Sequence, residues 1–506
     1  MKMVKSLLLG TAAGLVAVAG AQAADMPVKA KPVQYVKICS LYGDGFYYIP
    51  GTDTCLKLGG YLRVQLEYSA GGGGVPIGSG AAEAGQARYA RDVTNDFNFR
   101  TRAALSWDVR QQTEYGTLRT YIRIGTQVTT PADTEAAAAG FWDRAFLQFA
   151  GFTVGKTQSF FDLMTYGGAY SYHNVRIAGD TGAAGVTVWA YTAQFGNGWS
   201  GTLSLENPQG HNKAGVIDAS AVAFTANAGV TADNAFQIQS AANNGFRVPD
   251  VVANLRVDQA WGFIGASGVA HEASGAYYGT GNLVNNGHPA DRVGWAAAVG
   301  GKLNLPGGDA FGANACYSVG AAGYCTNITT GMQIYNASTS VGVGWLTDGV
   351  FDTGTEVFLT KVWSALVMYE HIWNPRWRTS WFGGYVNVSY DQTAKNIINS
   401  HLPGAAGTIV CGVPVAGAVF PPITLPAGGG GNSCNPNFSF YELGTRTQWN
   451  PVAQLDIGLE ILYTHLNTAY KGPGVYAANA PRPAVTLIDD QNIWSAFFRW
   501  QRNFYP

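Results

Sequence analysis

The chain has 506 residues, of which 12% are charged and 13% aromatic, with 66 glycines, a formal net charge of −1 and a mean hydropathy of +0.01. Soluble domains run nearer ~25% charged residues, and near-neutrality gives no argument for nucleic acid or an anionic membrane surface as partner. After the first 23 residues there is no run of about eighteen uncharged apolar residues free of Pro and Gly clusters, which excludes helical membrane spans.

The opening "MKMVKSLLLGTAAGLVAVAGAQAADMP" combines a basic start (Lys2, Lys5), an apolar stretch from Leu7 to Ala19 and a small-x-small site at Ala21-Gln22-Ala23. These predict a secretory signal peptide over 1–23. The apolar stretch is shorter than the ~20 residues a spanning helix needs. Removing it takes away Lys2 and Lys5 and leaves 29 basic against 32 acidic residues. The six cysteines fall in three local pairs, Cys39/Cys55, Cys316/Cys325 and Cys411/Cys434. Several connectivities are open, and the clustering favours neighbours pairing in an oxidising compartment. No C-x-x-C or nearby His pair suggests a metal, and no cofactor is expected.

From Lys57 onward a period-two pattern recurs, separated alternately by tight turns and by long Gly/Ala/Asn-rich loops. That alternation is the signature of a transmembrane antiparallel β-barrel. "YLRVQLEY" (61–68) puts Leu62, Val64 and Leu66 on one face and Arg63, Gln65 and Glu67 on the other. "FNFRTRAALSWDVR" (97–110) sets Phe97, Phe99, Leu105 and Trp107 against Arg100, Arg102 and Arg110. "TLRTYIRIGTQV" (117–128) opposes Leu118, Ile122 and Ile124 to Arg119 and Arg123. "DRAFLQFA" (143–150) and "FTVGK" (152–156) form a tight pair, followed by the long stretch 157–185 and by strands near 186–194 and 199–206 joined by "FGNG". Further strands are expected at 250–259, 261–271, 292–303, 309–318, 356–371, 377–390, 438–449, 454–466 and 493–504. The count is sixteen, with fourteen or eighteen the nearest alternatives. The fold class is therefore all-β, with long external loops; residues 24–56 read as a short periplasmic segment and 57–506 as the barrel. The turns "HIWNPRW" (371–377) and "TQWNPVAQ" (447–454) place Trp373 and Trp449 before Asn-Pro. With Trp107, Trp363, Trp494 and Trp500 they are candidates for aromatic girdles at the headgroup level.

"SLYGDGFYYIPGTDTCLKLGGYLRVQLEY" (40–68), "GKTQSFFD" (155–162), "VPDVVANLRVDQAWG" (248–262), the two "WNP" turns and the closing "FRWQRNF" (498–504) together resemble the general porins of alphaproteobacterial outer membranes. The resemblance implies a sixteen-stranded, homotrimeric barrel passing small hydrophilic solutes by diffusion across an outer membrane of lipid and lipopolysaccharide. It also implies that the third long loop, 157–185, folds into the lumen and constricts the pore. The chain departs from the usual aromatic ending, because Tyr505 and Pro506 follow Phe504.

The inward faces of the early strands gather Arg63, Arg100, Arg102, Arg119, Arg123 and Arg144, a wall that keeps its charge at ordinary pH. Carboxylates from the infolded loop would set a transverse field across the narrowest section. Asp162 and Asp180 are the candidates, with Arg176 as counter-charge. The alternative is that the arginines sit in ordinary wall ion pairs with Glu67 and Asp108. Inward arginines argue for anions and an acidic loop for cations, so the sign of selectivity stays open.

Catalytic patterns are poor. "GFTVGKT" (151–157) has Ala150 where a phosphate loop needs its earlier glycine, and no G-x-S-x-G or H-E-x-x-H occurs. His371 beside Trp373 reads as a turn or interface residue. The expected function is a passive outer-membrane diffusion channel and not an enzyme. A solute-selective channel, an outer-membrane hydrolase barrel and a secreted β adhesin are the competing readings.

Overall fold

The computed structural model describes residues 37–69, 97–130, 139–164, 170–172, 185–208, 215–220, 245, 247–279, 283–326, 331–335, 342–401, 434–475 and 485–504. Sixteen long strands form one antiparallel sheet: β1 Cys55–Ser69, β2 Phe97–Thr113, β3 Gly116–Thr130, β4 Ala139–Phe149, β5 Phe152–Thr157, β6 Val186–Gly196, β7 Trp199–Glu206 and β8 Asp250–Gln259. The second half comprises β9 Gly262–Glu272, β10 Val293–Asn304, β11 Ala310–Val319, β12 Lys361–Asn374, β13 Trp377–Ser389, β14 Phe438–Trp449, β15 Leu455–Asn467 and β16 Gln491–Asn503. Each strand pairs with its sequence neighbour, and β16 returns to β1 from Tyr61↔Asn503 to Ser69↔Ser495, so the sheet closes into a barrel without a free edge. Closure matters because unpaired backbone groups are not tolerated in hydrocarbon.

Connections alternate strictly between short turns and long loops, and β1 starts and β16 finishes at the turn end. The turns follow their sequence chemistry. Asn197 and Gly198 join β6 to β7 with φ of 50° and 79°, the paired left-handed values of a tight hairpin. In the first Asn-Pro turn the Asn374 side-chain oxygen accepts the backbone N–H groups of Arg376 at 2.9 Å and Trp377 at 3.1 Å. At the closing seam the N–H of Phe504 donates to Gly60 O at 2.9 Å. Tyr505 and Pro506 lie outside the described residues.

The strands alternate as the sequence predicts. Leu62, Leu105, Trp189, Leu203, Ile264, Val299, Trp363, Leu443 and Trp494 are exposed on the outer face, where lipid is the solvent. Inside, the two halves of the wall differ. On β8 to β15 the inward residues include Val252, Val269, Ala296, Leu366, Phe382, Phe440 and Leu462, all buried in one apolar cluster with loop residues Phe161, Leu163, Met164, Tyr324, Leu346, Val350 and Ile398. The loops build small elements for this purpose: Val216–Asp218 runs parallel to Gly349–Phe351, which pairs with Phe358–Leu359, and a helix spans Gln392–His401. On β1 to β4 and β16 the inward residues are mainly polar.

With both cysteines among the described residues, two disulfides join sequence neighbours. Cys39–Cys55 ties the segment before the barrel to the start of β1, and Cys316–Cys325 ties the end of β11 to the loop that follows. Cys411, the expected partner of Cys434, lies outside the described residues.

Candidate functional site

The six arginines expected to line the pore all lie on the inward face of β1 to β4, and the register arranges them in levels. Nearest the turn end, Arg110 and Arg119 face each other across β2 and β3, and both bind Asp108, at 2.8 and 2.9 Å. In the middle, Arg102 and Arg123 converge on Asp143, at 3.0 and 3.1 Å, while Arg144 lies opposite Arg123 and donates to the Asp143 carbonyl at 2.7 Å. The Arg102 guanidinium also stacks over the Phe141 ring, 3.8 Å from its centroid. Also at the middle, Arg63 lies opposite Arg102 and donates to Gln501 at 2.8 Å, and toward the loop end Arg100 binds Glu67 at 2.8 Å. Ion pairing with wall acids, the alternative considered from sequence, is thus the arrangement of Arg100, Arg102, Arg119 and Arg123.

Strict alternation puts Asp143 on the face opposite Arg144, yet both are inward. A β-bulge reconciles the two: the register passes from Arg123↔Arg144 to Ile124↔Trp142 and skips Asp143. An extra residue in one strand re-aims the side chains around it. Asp143 and Arg144 are consequently both buried inward while Trp142 stays exposed outward. No sequence signal marks this bulge.

The described residues of the third long loop, 158–164 and 170–172, lie inside the barrel. Leaving β5, it passes Glu206, whose carboxylate accepts the Phe160 N–H at 2.9 Å, then Asn254, which donates to Phe160 O at 2.8 Å, and Ser267, which donates to Phe161 O at 2.8 Å. Phe161 packs edge-on against Tyr324, with centroids 4.9 Å apart. Further on, the loop docks on the opposite wall. Ser171 Oγ donates to Glu460 at 3.0 Å, the Tyr172 N–H donates to the other Glu460 oxygen, and Arg499 donates to Tyr172 O at 2.9 Å. The Tyr172 ring lies under two guanidiniums, 4.1 Å from Arg499 and 5.3 Å from Arg446. The described part of this loop therefore follows β7 to β9 and ends at β15 and β16.

Of the loop candidates, Asp162 is half-buried near Tyr324, with one carboxylate oxygen enclosed. Arg176 and Asp180 lie outside the described residues. Glu460, Arg499, Arg446 and Tyr172 were not singled out from sequence. For Glu460, Arg446 and Arg499 the signal was a charge at an inward strand position, which does not say what it will hold, and Tyr172 lies in a loop where no period points to it.

The six tryptophans proposed for girdles all occupy outward positions. Trp363 and Trp494 lie toward the loop end, and Trp107, Trp373, Trp449 and Trp500 toward the turn end. Trp449 stacks on Trp377 at 5.9 Å. His371 sits beside the turn, with Nδ1 2.8 Å from Asp309 and its ring edge-on to Trp373 at 4.3 Å.

A closed sixteen-stranded barrel with an infolded third loop invites comparison with known channels. The sequence matches the porin subfamily over residues 25–497. The chain belongs to this porin subfamily. Porin Omp2b of Brucella suis biovar 1 is 33% identical over 280 residues, covering 53% of this chain and 66% of the relative. Porin Omp2a of Brucella canis is 34% identical over 289 residues with the same shares. The match thus takes in just under two thirds of these relatives' own length. Among solved structures, the outer membrane channel DcaP of Acinetobacter baumannii superposes with a TM-score of 0.54 at 14% identity, over 90% of this chain and 99% of that one. That likeness concerns the fold alone. As a porin the chain is an outer-membrane protein that crosses with strands, and its short turns define the periplasmic end.

Proposed function

We propose that this porin forms a water-filled channel for passive diffusion of small hydrophilic solutes and ions, works as a homotrimer in the lipid and lipopolysaccharide of the outer membrane, and needs neither cofactor nor catalytic step. The observation that carries the reading is the division of the lumen. The described third-loop residues and the apolar cluster lie against β7 to β16, and the wall of β1 to β4 keeps charged side chains partly exposed, with 28% exposure for both Arg100 and Arg119. A half-filled barrel with a polar remaining wall suits hydrated solutes and disfavours apolar ones. Asp162, Arg176 and Asp180 belong to the constriction in this reading, and the six tryptophans to the two interfacial belts.

The test is planar-bilayer conductance combined with swelling of liposomes in neutral sugars of increasing size. Steps grouped in threes and a size-dependent, non-saturating flux are expected. Saturation at low solute concentration would favour a solute-selective channel, and absence of steps from inserted, β-structured protein would overturn the channel.

A further inference from the structure

We propose that the channel prefers anions to cations, conducts them along the arginine wall, and favours small oxyanions, those bearing phosphate or carboxylate groups. This inference rests on the channel reading above and adds the sign and the chemistry of the solute.

Arginines face arginines at three places: Arg63 opposite Arg102, Arg110 opposite Arg119, and Arg123 opposite Arg144. Like charges directly opposed across a sheet are destabilising. A wall selected for stability alone would not repeat the arrangement at successive levels of one face. The guanidinium also stays charged at any pH the membrane meets.

On the described strands of this wall the acids are fewer than the arginines. Two arginines share Asp108, two share Asp143 with a third adjacent, and the inward acids of β1 to β5 and β16 are Glu67, Asp108 and Asp143. Over these strands the inward arginines outnumber the inward acids.

Exposure decides which sign the water feels. On the far wall Glu206, Asp250, Glu442 and Glu460 are at most 1% exposed, sealed beneath the loops. The more exposed acids there include Asp258, paired with Arg256, and Asp456, which accepts from Asn503 at 3.2 Å. The third loop does not reverse the balance, because its charged residues over 157–185 are Asp162, Arg176 and Asp180. Charges of one sign beside low-dielectric walls concentrate counter-ions in the cleft. The planar guanidinium fork matches carboxylate and phosphate oxygens in pairs. Successive levels let an oxyanion exchange one fork for the next, binding weakly at several places as conduction requires.

The experiment is the reversal potential of the full-length protein in a planar bilayer under a KCl gradient, followed by addition of inorganic phosphate. At low salt a chloride preference of roughly threefold or more is expected, falling toward unity as salt screens the wall. Phosphate should reduce the chloride current saturably. The double substitution Arg102→Gln/Arg123→Gln should lower the preference by about half or more and weaken the phosphate effect. If heat-shifted migration shows that this variant does not assemble, Arg119→Gln tests the same prediction at another level. Conducting protein with cation preference, or an assembled variant with unchanged reversal potential, would overturn the inference and leave the channel reading standing. Chloride preference without a phosphate effect would overturn its oxyanion part. Absence of steps would overturn both readings together.

Discussion

Arg123 faces Arg144 directly across the β3 and β4 ladder, and the residue skipped by the bulge beside them, Asp143, is the carboxylate that Arg102 and Arg123 both bind. One inserted residue therefore supplies the acid that lets three arginines occupy one level. Asp143→Asn keeps the shape and removes the charge. Breaking a buried pair from one side typically costs about 3–5 kcal/mol, and here the partly exposed guanidiniums reduce that, so a loss of roughly 2 kcal/mol is expected. The variant should unfold at a lower temperature in detergent, read by heat-shifted migration, and should be more anion-preferring than the native channel. An unchanged unfolding temperature would count against Asp143 as the charge that holds this level together.

Glu460 accepts hydrogen bonds from both Ser171 and the Tyr172 backbone, so one wall carboxylate holds the far end of the described third-loop segment. The glycine two positions earlier makes room for it. A Cβ on Gly458 would collide with the Tyr172 hydroxyl. Glu460→Ala and Gly458→Val should both release the loop from β15, giving larger and noisier conductance steps without loss of the barrel. Since each buried hydrogen bond to a charged group is worth about 1.5–3 kcal/mol, Glu460→Ala should have the stronger effect. Steps of native size and quiet baseline in both variants would show that the loop is held elsewhere.

Much of this architecture is legible in the sequence because lipid and water impose opposite demands on alternate residues. The β2 segment shows Phe97, Phe99 and Leu105 on one face and Arg100 and Arg102 on the other, and the barrel needs little more to set its register. Even 310–319, with its small Ala and Gly residues, keeps the alternation and forms β11. The site is less legible for two physical reasons. A bulge breaks the period that the reading depends on, which hid Asp143. Loop docking depends on partners far along the chain, so nothing near Tyr172 announces Arg446, Glu460 or Arg499. The apolar filling of the lumen was hidden likewise, because Phe161 and Tyr324 come from loops without periodicity and the helical spacing of Ala394, Ile397 and Ile398 is confined to one short helix.

Tyr324 is fully buried between Phe161 of the third loop and the wall, and its hydroxyl donates to Asp250 at 2.5 Å. The Cys316–Cys325 disulfide fixes the chain beside it. Closing a segment with a sequence separation of 9 limits the unfolded chain by about 2–3 kcal/mol in the loop-entropy model. Replacing both cysteines by alanine should lower the unfolding temperature and, by loosening Tyr324, speed hydrogen exchange at the Phe161 amide. Faster exchange limited to residues 320–326 would mean that the disulfide steadies its own loop and not the constriction.

Asp309 lies in the turn between β10 and β11, outside the spanning strands, and gathers three donors or donor-capable groups: the Tyr369 hydroxyl at 2.6 Å, His371 Nδ1 at 2.8 Å and the Ile372 N–H at 2.8 Å. The Tyr369 hydroxyl first, then His371 and the Ile372 amide, lower its pKa from the usual carboxylate range to about 2. A carboxyl with a depressed folded pKa contributes stability that is fully present above its unfolded value, near ~3.9, and is lost as the pH falls through the folded one. The turn should therefore hold at neutral pH and loosen between about pH 4 and pH 2. Hydrogen exchange at the Ile372 amide and Trp fluorescence near the periplasmic rim should both report it. Asp309→Asn should remove this acid dependence and exchange faster at neutral pH. Acid loosening that persists unchanged in the variant would assign it to another carboxylate.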